Sequence, residues 1–519
     1  TAFLDPSDPN YEAPVGVGDF LDKSNSRAHV MLRRGWAVQD DVDQFKVDGT
    51  WDEGTGSGLN KIRFGGQYSS ESKDLQRWDN EGVGIHCTFC GYPDYPPIPA
   101  DMQYVFNAGK DFLSGVSGHG RMPTSWLAHD GEAQFKYLEQ ISGKNFDAVK
   151  RDNSFVVDED TYSFYLEADF SGTLNSMPIS ATSGVRIENT SVSVDGTEAT
   201  TTFLQVLDQT EMLTHYGAAR KVNGDNSYDV ILPNMSVKLD ITDSMVLRAA
   251  ASKTLTRPTL TSMAPVTVIG TTRPGGNLTA TSGNADLKPY ESDNFDLSWE
   301  WYYGDASYVS AGYFKKNVSN FIVNVIENKT FITESGAPLT DPSTGTDPLH
   351  PDAGDAVAVF HNTVPANGET ATVDGLELGW QHTLDSGFGF IVNATLVNSD
   401  ADLNPADITQ TFALTGLSDS MNLVGFYEKG PVQIRLAYNK REEFVQSLTQ
   451  SNGNGPTIVA PYKQFDLSAS YDLTDNVTLF MEGINLTNEY VHKRGRYANQ
   501  LLLIEDSGRR LALGLRANF

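Results

Sequence analysis

The chain has 519 residues, 39% of them hydrophobic, which is enough for a substantial core and excludes compositional disorder. A formal charge of -29 excludes binding to a phosphate backbone, which needs basic patches that release counterions, and is read as solvated surface loops or a saline habitat. The mean hydropathy of -0.34 and the lack of any run of about 18 apolar residues exclude spanning helices, but not a β-barrel, half of whose strand residues are polar.

The first residues, "TAFLDPSDPN", carry no initiator Met and no charged, apolar, small-residue leader, so any signal segment is expected to lie upstream or to have been removed. Residues 1–41 are expected to form a loop segment on the side of the long loops, with strands following near 42–51 and 60–70. In "KIRFGGQY", Ile62, Phe64, Gly66 and Tyr68 fall on one face, the two-residue period of a half-apolar strand.

The longest connection then spans about 71–154. It holds both cysteines, Cys87 and Cys90, in "GIHCTFCGYPDYPP". A single CxxC lacks the second ligand pair of a structural zinc site, and no thioredoxin-like strand-helix pattern surrounds it. A short-range disulfide in an extracytoplasmic loop is the first reading, and metal binding with His86 is the other. The same loop carries Trp78, Tyr92, Tyr95, Tyr104, Phe106, Phe112 and Trp126 among Gly, Pro and Asp. Long structured loops in compact barrels tend to be functional, and aromatic faces stack on sugar rings. Trp78, Tyr92, Tyr95 and Trp126 are therefore candidate contacts for a solute, with loop self-packing as the alternative.

Further along, strands are expected near 155–171, 177–191, 228–241, 244–255, 289–303, 305–317, 369–383, 386–399, 416–428, 431–446, 460–473, 475–487 and 507–519, giving about fifteen in all. Short links such as "SGTLNSMP", "DITDS", "YYGDAS" and "EKGPV" join them at one end. Long segments near 192–227, 256–288, 320–368, 400–416, 447–460 and 488–506 join them at the other. Unequal connections of this kind mark a transmembrane barrel with short periplasmic turns and long extracellular loops. Phe170, Tyr303, Tyr427, Tyr471 and Phe519 fall near the short turns or the terminus, where an interfacial aromatic girdle sits. Lys61, Arg63, Glu167, Asp169, Arg248, Asp296, Glu300, Glu377, Arg435 and Glu482 are expected to face the lumen.

No GxSxG, HExxH, Walker loop or strand-linked GxGxxG occurs, so no enzyme is expected. The one loop cluster that could suit a hydrolase, His129, Asp130 and Glu132 in "AHDGEAQF", reads equally as solvated polar residues. No cofactor is expected. Ca²⁺ held by aspartate-rich turns such as "DEDTYS" and "NGDNSYD" is a weak reading, since neither has EF-hand spacing.

"SGNADLKPYESDNFDLSWEWYY", "VLRAAASKTLTRPTL", "VTLFMEGINLTNEY" and the closing "GRRLALGLRANF" resemble the barrel of TonB-dependent receptors of the bacterial outer membrane, in the right order from about residue 42 to Phe519. "SVKLDITDSMVLRAAASKTLTRP" and "TVDGLELGWQHTL" are most similar to the branch associated with carbohydrate uptake. The resemblance implies an all-β barrel of about 22 strands, of which residues 42–519 supply the C-terminal portion. The plug domain and about seven strands are expected to lie outside this chain. It implies uptake of a scarce solute powered through the TonB complex, an oligosaccharide first and a ferric siderophore second, with a passive porin or a surface-binding barrel as the other classes. It implies as partners outer-membrane lipid and lipopolysaccharide, the barrel assembly machinery, for which Phe519 looks like the terminal signal, and a surface lipoprotein.

Overall fold

The computed structural model describes residues 21–26, 32–53, 58–80, 98–116, 120, 123–206, 212–270, 272–275, 278–347, 352–408, 410–448 and 455–518. Residues alternating between an apolar and a polar face form one continuous antiparallel wall. Its strands are β1 (Arg34–Asp52), β2 (Gly58–Asp79), β3 (Ser154–Leu174), β4 (Met177–Val206), β5 (Met212–Thr242), β6 (Met245–Thr256), β7 (Tyr290–Gly304), β8 (Ser307–Lys329), β9 (Phe360–Thr383), β10 (Phe388–Ser399), β11 (Ser420–Lys429), β12 (Val432–Arg441), β13 (Tyr462–Thr474), β14 (Val477–Ile484) and β15 (Arg510–Ala517). Each pairs antiparallel with the next in this order. This is the up-and-down order of a transmembrane β-barrel, and no helix among the described residues is long and apolar enough to cross a membrane.

The short turns follow from their residues. Between β3 and β4, Leu174 pairs with Met177, and the two residues between them, Asn175 and Ser176, have φ of 49° and 71°. Two consecutive positive φ values define the hairpin turn whose twist matches that of its strands, and Asn is among the side chains that tolerate it.

Register sets the two faces. Phe64 pairs with Leu166, Leu166 with Val185, and Leu297 with Ala249, which aligns one row of apolar side chains toward lipid. Near the short turns this face gathers rings: Trp301 against Tyr303, Trp380 against Phe390 and Phe388 against Tyr427, at centroid distances of 5.0, 4.6 and 4.8 Å. Tyr303 places its hydroxyl 2.9 Å from His382 Nδ1 and accepts from Trp380 Nε1 at 2.9 Å, so the belt has apolar bodies and satisfied polar tips. Phe519 lies outside the described residues.

The opposite face carries the charges assigned to the lumen. Arg63 bonds Glu167 and Asp169, Arg248 bonds Glu300, and Arg435 bonds Glu428.

Several strands run further than their sequence suggested. The first begins at Arg34, so 34–41 belong to the wall rather than to a leading loop segment. The segment 192–227, expected as a loop, is instead mostly the distal half of the β4–β5 hairpin, paired from Ile179 with Leu239 out to Val206 with Met212. At about 3.3 Å per residue, strands of 30 and 31 residues reach roughly 100 Å, far beyond a hydrocarbon core of about 30 Å. "DEDTYS" and "NGDNSYD" lie inside β3 and β5 rather than in turns. Outside the membrane the outer face meets water, so the two-residue period persists while its apolar signature is lost.

Candidate solute-binding site

Beyond the lipid band, the inner face of the extended strands becomes apolar again because loops fold inward onto it. Val157 of β3 and Val192 and Val194 of β4 pack with Leu260, Met263, Ala264 and Leu287 from the connection between β6 and β7. A second layer joins Leu204 and Met212 at the hairpin tip to Leu278, Ala280, Phe331, Leu339, Ala358 and Phe360. Thr279–Thr281 run parallel to the start of β9, pairing with His361–Thr363. The extracellular mouth is therefore a packed vestibule.

The connection from β8 to β9 is tied by Asp352, whose carboxylate accepts from Thr346 N and Oγ1 (2.7 Å each), Asp347 N (2.6 Å) and Gly354 N (2.6 Å). These donors, the Thr346 hydroxyl foremost, hold its pKa down at about 2 from the ordinary 3.8. A depressed carboxylate stabilises the fold above its unfolded pKa, and that contribution is lost as pH falls through the folded value. Protection of the Thr346, Asp347 and Gly354 amides, taken relative to their intrinsic exchange rates at each pH, should therefore fall between pH 4 and pH 2. Unchanged protection across that window would contradict the assignment.

At the base of this vestibule, where the inward loop leaves β6, Arg257 reaches across the lumen face. Its Nη2 donates to Glu188 Oε2 at 2.6 Å, and its Nε lies 3.1 Å from Glu159 Oε1. Arg186 donates from Nε to Glu188 Oε1 at 2.5 Å and from Nη2 to Ser163 Oγ at 2.7 Å. The Thr161 and Thr190 hydroxyls meet at 3.1 Å. All of these except Thr190 line a half-open cavity of about 190 Å³ with Gln44, Gln67, Ser69 and Glu71, and every lining side chain is polar. Three buried atoms at this site have no hydrogen-bond partner among the described residues: Glu159 Oε2, the Tyr228 hydroxyl and Arg257 Nε, which lies near Glu159 Oε1 without bonding it. Beside the cavity, β1 presents Trp36, Val38 and Val42 on the same face, at 59, 50 and 56% exposure. Asp40, paired with Lys73, interrupts that row between Val38 and Val42, so the cavity itself suits a solute presenting several hydrogen-bonding groups.

The aromatic loop behind the sequence-based candidates lies elsewhere. Trp78 is at the end of β2, paired with Gly35 and Lys150. Trp126 sits in the hairpin of 103–107 with 125–129, its ring 5.1 Å from Phe106 and 6.0 Å from Phe112. Neither lines the cavity. Tyr92, Tyr95, Cys87 and Cys90 lie outside the described residues.

The cluster of His129, Asp130 and Glu132 has structural employment. Asp130 caps helix α1 (Gly131–Ser142) by accepting from Glu132 N and Ala133 N, and Glu132 pairs with Arg33 at 2.7 Å. Arg33 also pairs with Asp147 at 3.2 Å and lies 4.3 Å from the centroid of the Phe135 ring, clipping the helix to the root of β1. Arg33→Ala should loosen this clip by roughly 1–2 kcal/mol, raising proteolysis within 98–153 about tenfold without changing the barrel. Limited trypsinolysis reads it, and equal cleavage of both proteins would refute it.

Arg257 and Glu188 are site residues that sequence reasoning passed over, while Glu159 and Tyr228 entered it only within the stretches read for Ca²⁺. The sequence signal for Glu159 and Glu188 is the strand period of "DEDTYSF" and "VRIENT" continuing past the apolar stretch, and Arg257 follows the last strand residue Thr256 with no such period of its own.

A family model described as "TonB dependent receptor-like, beta-barrel" matches residues 2–486. No curated protein matches the chain. Among solved structures, the ferric-catecholate import receptor Fiu from K12 E. coli is similar at 11% identity and a TM-score of 0.55, with 94% of this chain covering 55% of that one. The ferric yersiniabactin uptake receptor FyuA from Yersinia pestis follows at 12% and 0.51, covering 94% and 56%. The siderophore receptor PiuA from Acinetobacter baumannii stands at 14% and 0.51, covering 93% and 56%. These likenesses are of fold, and the chain spans a little over half the length of each.

Proposed function

Because the chain belongs to the TonB-dependent receptor-like β-barrel family, whose place is the bacterial outer membrane, we propose that it walls the path by which a scarce polar solute is taken up, with energy delivered through TonB. The observation that carries this reading is the polar cavity on the lumen face, set below inward-folded loops where an external solute would first be held. Amides and hydroxyls on Gln44, Gln67, Ser69, Thr161 and Ser163 suit a hydroxyl-rich solute, which keeps an oligosaccharide as the first class. The names of the solved structures similar in fold refer to ferric yersiniabactin, a ferric catecholate, a siderophore and, in one case, copper, so the carbohydrate assignment rests on the cavity chemistry and not on them. The barrel assembly machinery, lipopolysaccharide and a surface lipoprotein are the further partners of this reading. The disulfide Cys87–Cys90 and loop-bound Ca²⁺ remain part of it as proposals.

Growth tests it. Cells expressing the full-length receptor should grow on single oligosaccharides only when both the receptor and a working TonB are present. Induction and a growth defect confined to iron starvation would move the siderophore reading ahead. Large steady conductance of the purified protein in a planar bilayer would put a passive porin first.

A further inference from the structure

The lumen-face cavity holds an unbalanced set of charges. β2 places Glu71 directly opposite Glu159 of β3 on the inner face, a like-charge cross-strand pair that is unfavourable when nothing bridges it. Glu188 shares the cavity, and against these carboxylates stand the guanidiniums of Arg186 and Arg257. Arg257 engages Glu159 Oε1 and Glu188 Oε2, and Arg186 engages Glu188 Oε1. Glu159 Oε2 is left over. It has no hydrogen-bond partner among the described residues, on a side chain only 6% exposed. A buried carboxylate oxygen without a donor is costly, and since Arg257 Nε is also unpartnered and does not reach it, what the site lacks is a positive charge placed between Glu71 and Glu159 Oε2.

We propose that this cavity recognises an ammonium or guanidinium group carried by the solute, with Glu71 and the free oxygen of Glu159 accepting its N–H donors. The inference rests on the receptor reading above and narrows its substrate class. A compact cationic group fits a volume of about 190 Å³, neutralises the Glu71–Glu159 pair and donates to Glu159 Oε2, which Arg257 does not reach. A polyanionic ferric complex meets an excess of carboxylates at the same place. A neutral polyol supplies donors but no charge.

Spermidine is the probe, titrated calorimetrically at about 0.1 M salt into the full-length receptor in detergent, with sorbitol as the neutral control. Saturable spermidine binding is expected, weakened at least about tenfold by Glu71→Gln, with sorbitol, which brings hydroxyls without charge, binding at least about tenfold more weakly than spermidine. Glu71 is the first position to change because Arg257 does not depend on it; Glu159→Gln is the second, with a comparable loss expected. Absence of spermidine binding, or equal affinity in wild type and Glu71→Gln, overturns the proposal. TonB-dependent growth on a neutral oligosaccharide without spermidine binding would remove the cationic group and leave the receptor standing. Loss of all TonB-dependent uptake would remove the receptor reading itself.

Discussion

Arg257→Ala should release the inward loop from the vestibule wall. In the wild type one guanidinium serves a carboxylate on each of two strands, Glu159 of β3 and Glu188 of β4, both only 6% exposed. Removing it leaves those charges facing each other and Glu71 with only Arg186 nearby. Breaking a buried pair by deleting one partner costs about 3–5 kcal/mol, because the remaining charge is stranded, whereas neutralising the whole set can be nearly free. The loop's apolar anchors, Leu260, Met263 and Leu287, then hold without the latch at its root. Hydrogen exchange across 258–288 should rise by two orders of magnitude or more, roughly what 3 kcal/mol gives. Exchange in the membrane part of β3 and β4 should stay the same. The combination Arg257→Met with Glu159→Gln and Glu188→Gln should restore protection. If the single variant exchanges like wild type, the apolar layer alone holds the loop and the ion pairs are incidental.

The contrast between wall and vestibule shows what a single sequence carries. Where a strand crosses lipid, the solvent on its outer face dictates an apolar residue at every second position, as with Phe64, Leu166, Ile187 and Ile231, and the pattern can be read without knowing any partner. Above the membrane the same backbone continues, but Ser191, Ser193 and Asp195 face water while Val192 and Val194 face a loop from elsewhere in the chain. "SVSVDGTE" keeps its period and loses its lipid face, so it reads as a loop. The site is harder still. Arg257, Glu159 and Glu188 meet only through the register of β3 with β4 and the return of the β6–β7 connection, and no local spacing encodes that meeting. Trp126, by contrast, was visible as an aromatic, but Phe106 and Phe112 decide whether its face is free.

Phe360→Ala separates the two layers of the molecule. Phe360 opens β9, is fully buried, and meets Phe331 edge-on at 4.8 Å and 84° among Leu204, Met212, Leu278 and Leu339. A phenyl ring removed from such a core takes its transfer free energy with it and leaves a cavity, at a cost of about 3–5 kcal/mol. That cost falls on the vestibule, because the ring touches the hairpin tip and the loops rather than lipid. The variant should still insert and keep its strand signal in circular dichroism, while 331–358 and the β4–β5 tip become accessible to protease. Leu166→Arg is the reciprocal experiment. Its side chain lies on the lipid face at 54% exposure, where a buried charge costs about 2–4 kcal/mol of barrel stability and leaves the loops' own packing alone. If Phe360→Ala instead lowered the urea midpoint of the whole barrel as much as Leu166→Arg does, vestibule and wall would be one cooperative unit. The inward loops would then be part of the barrel's folding rather than a layer laid upon it.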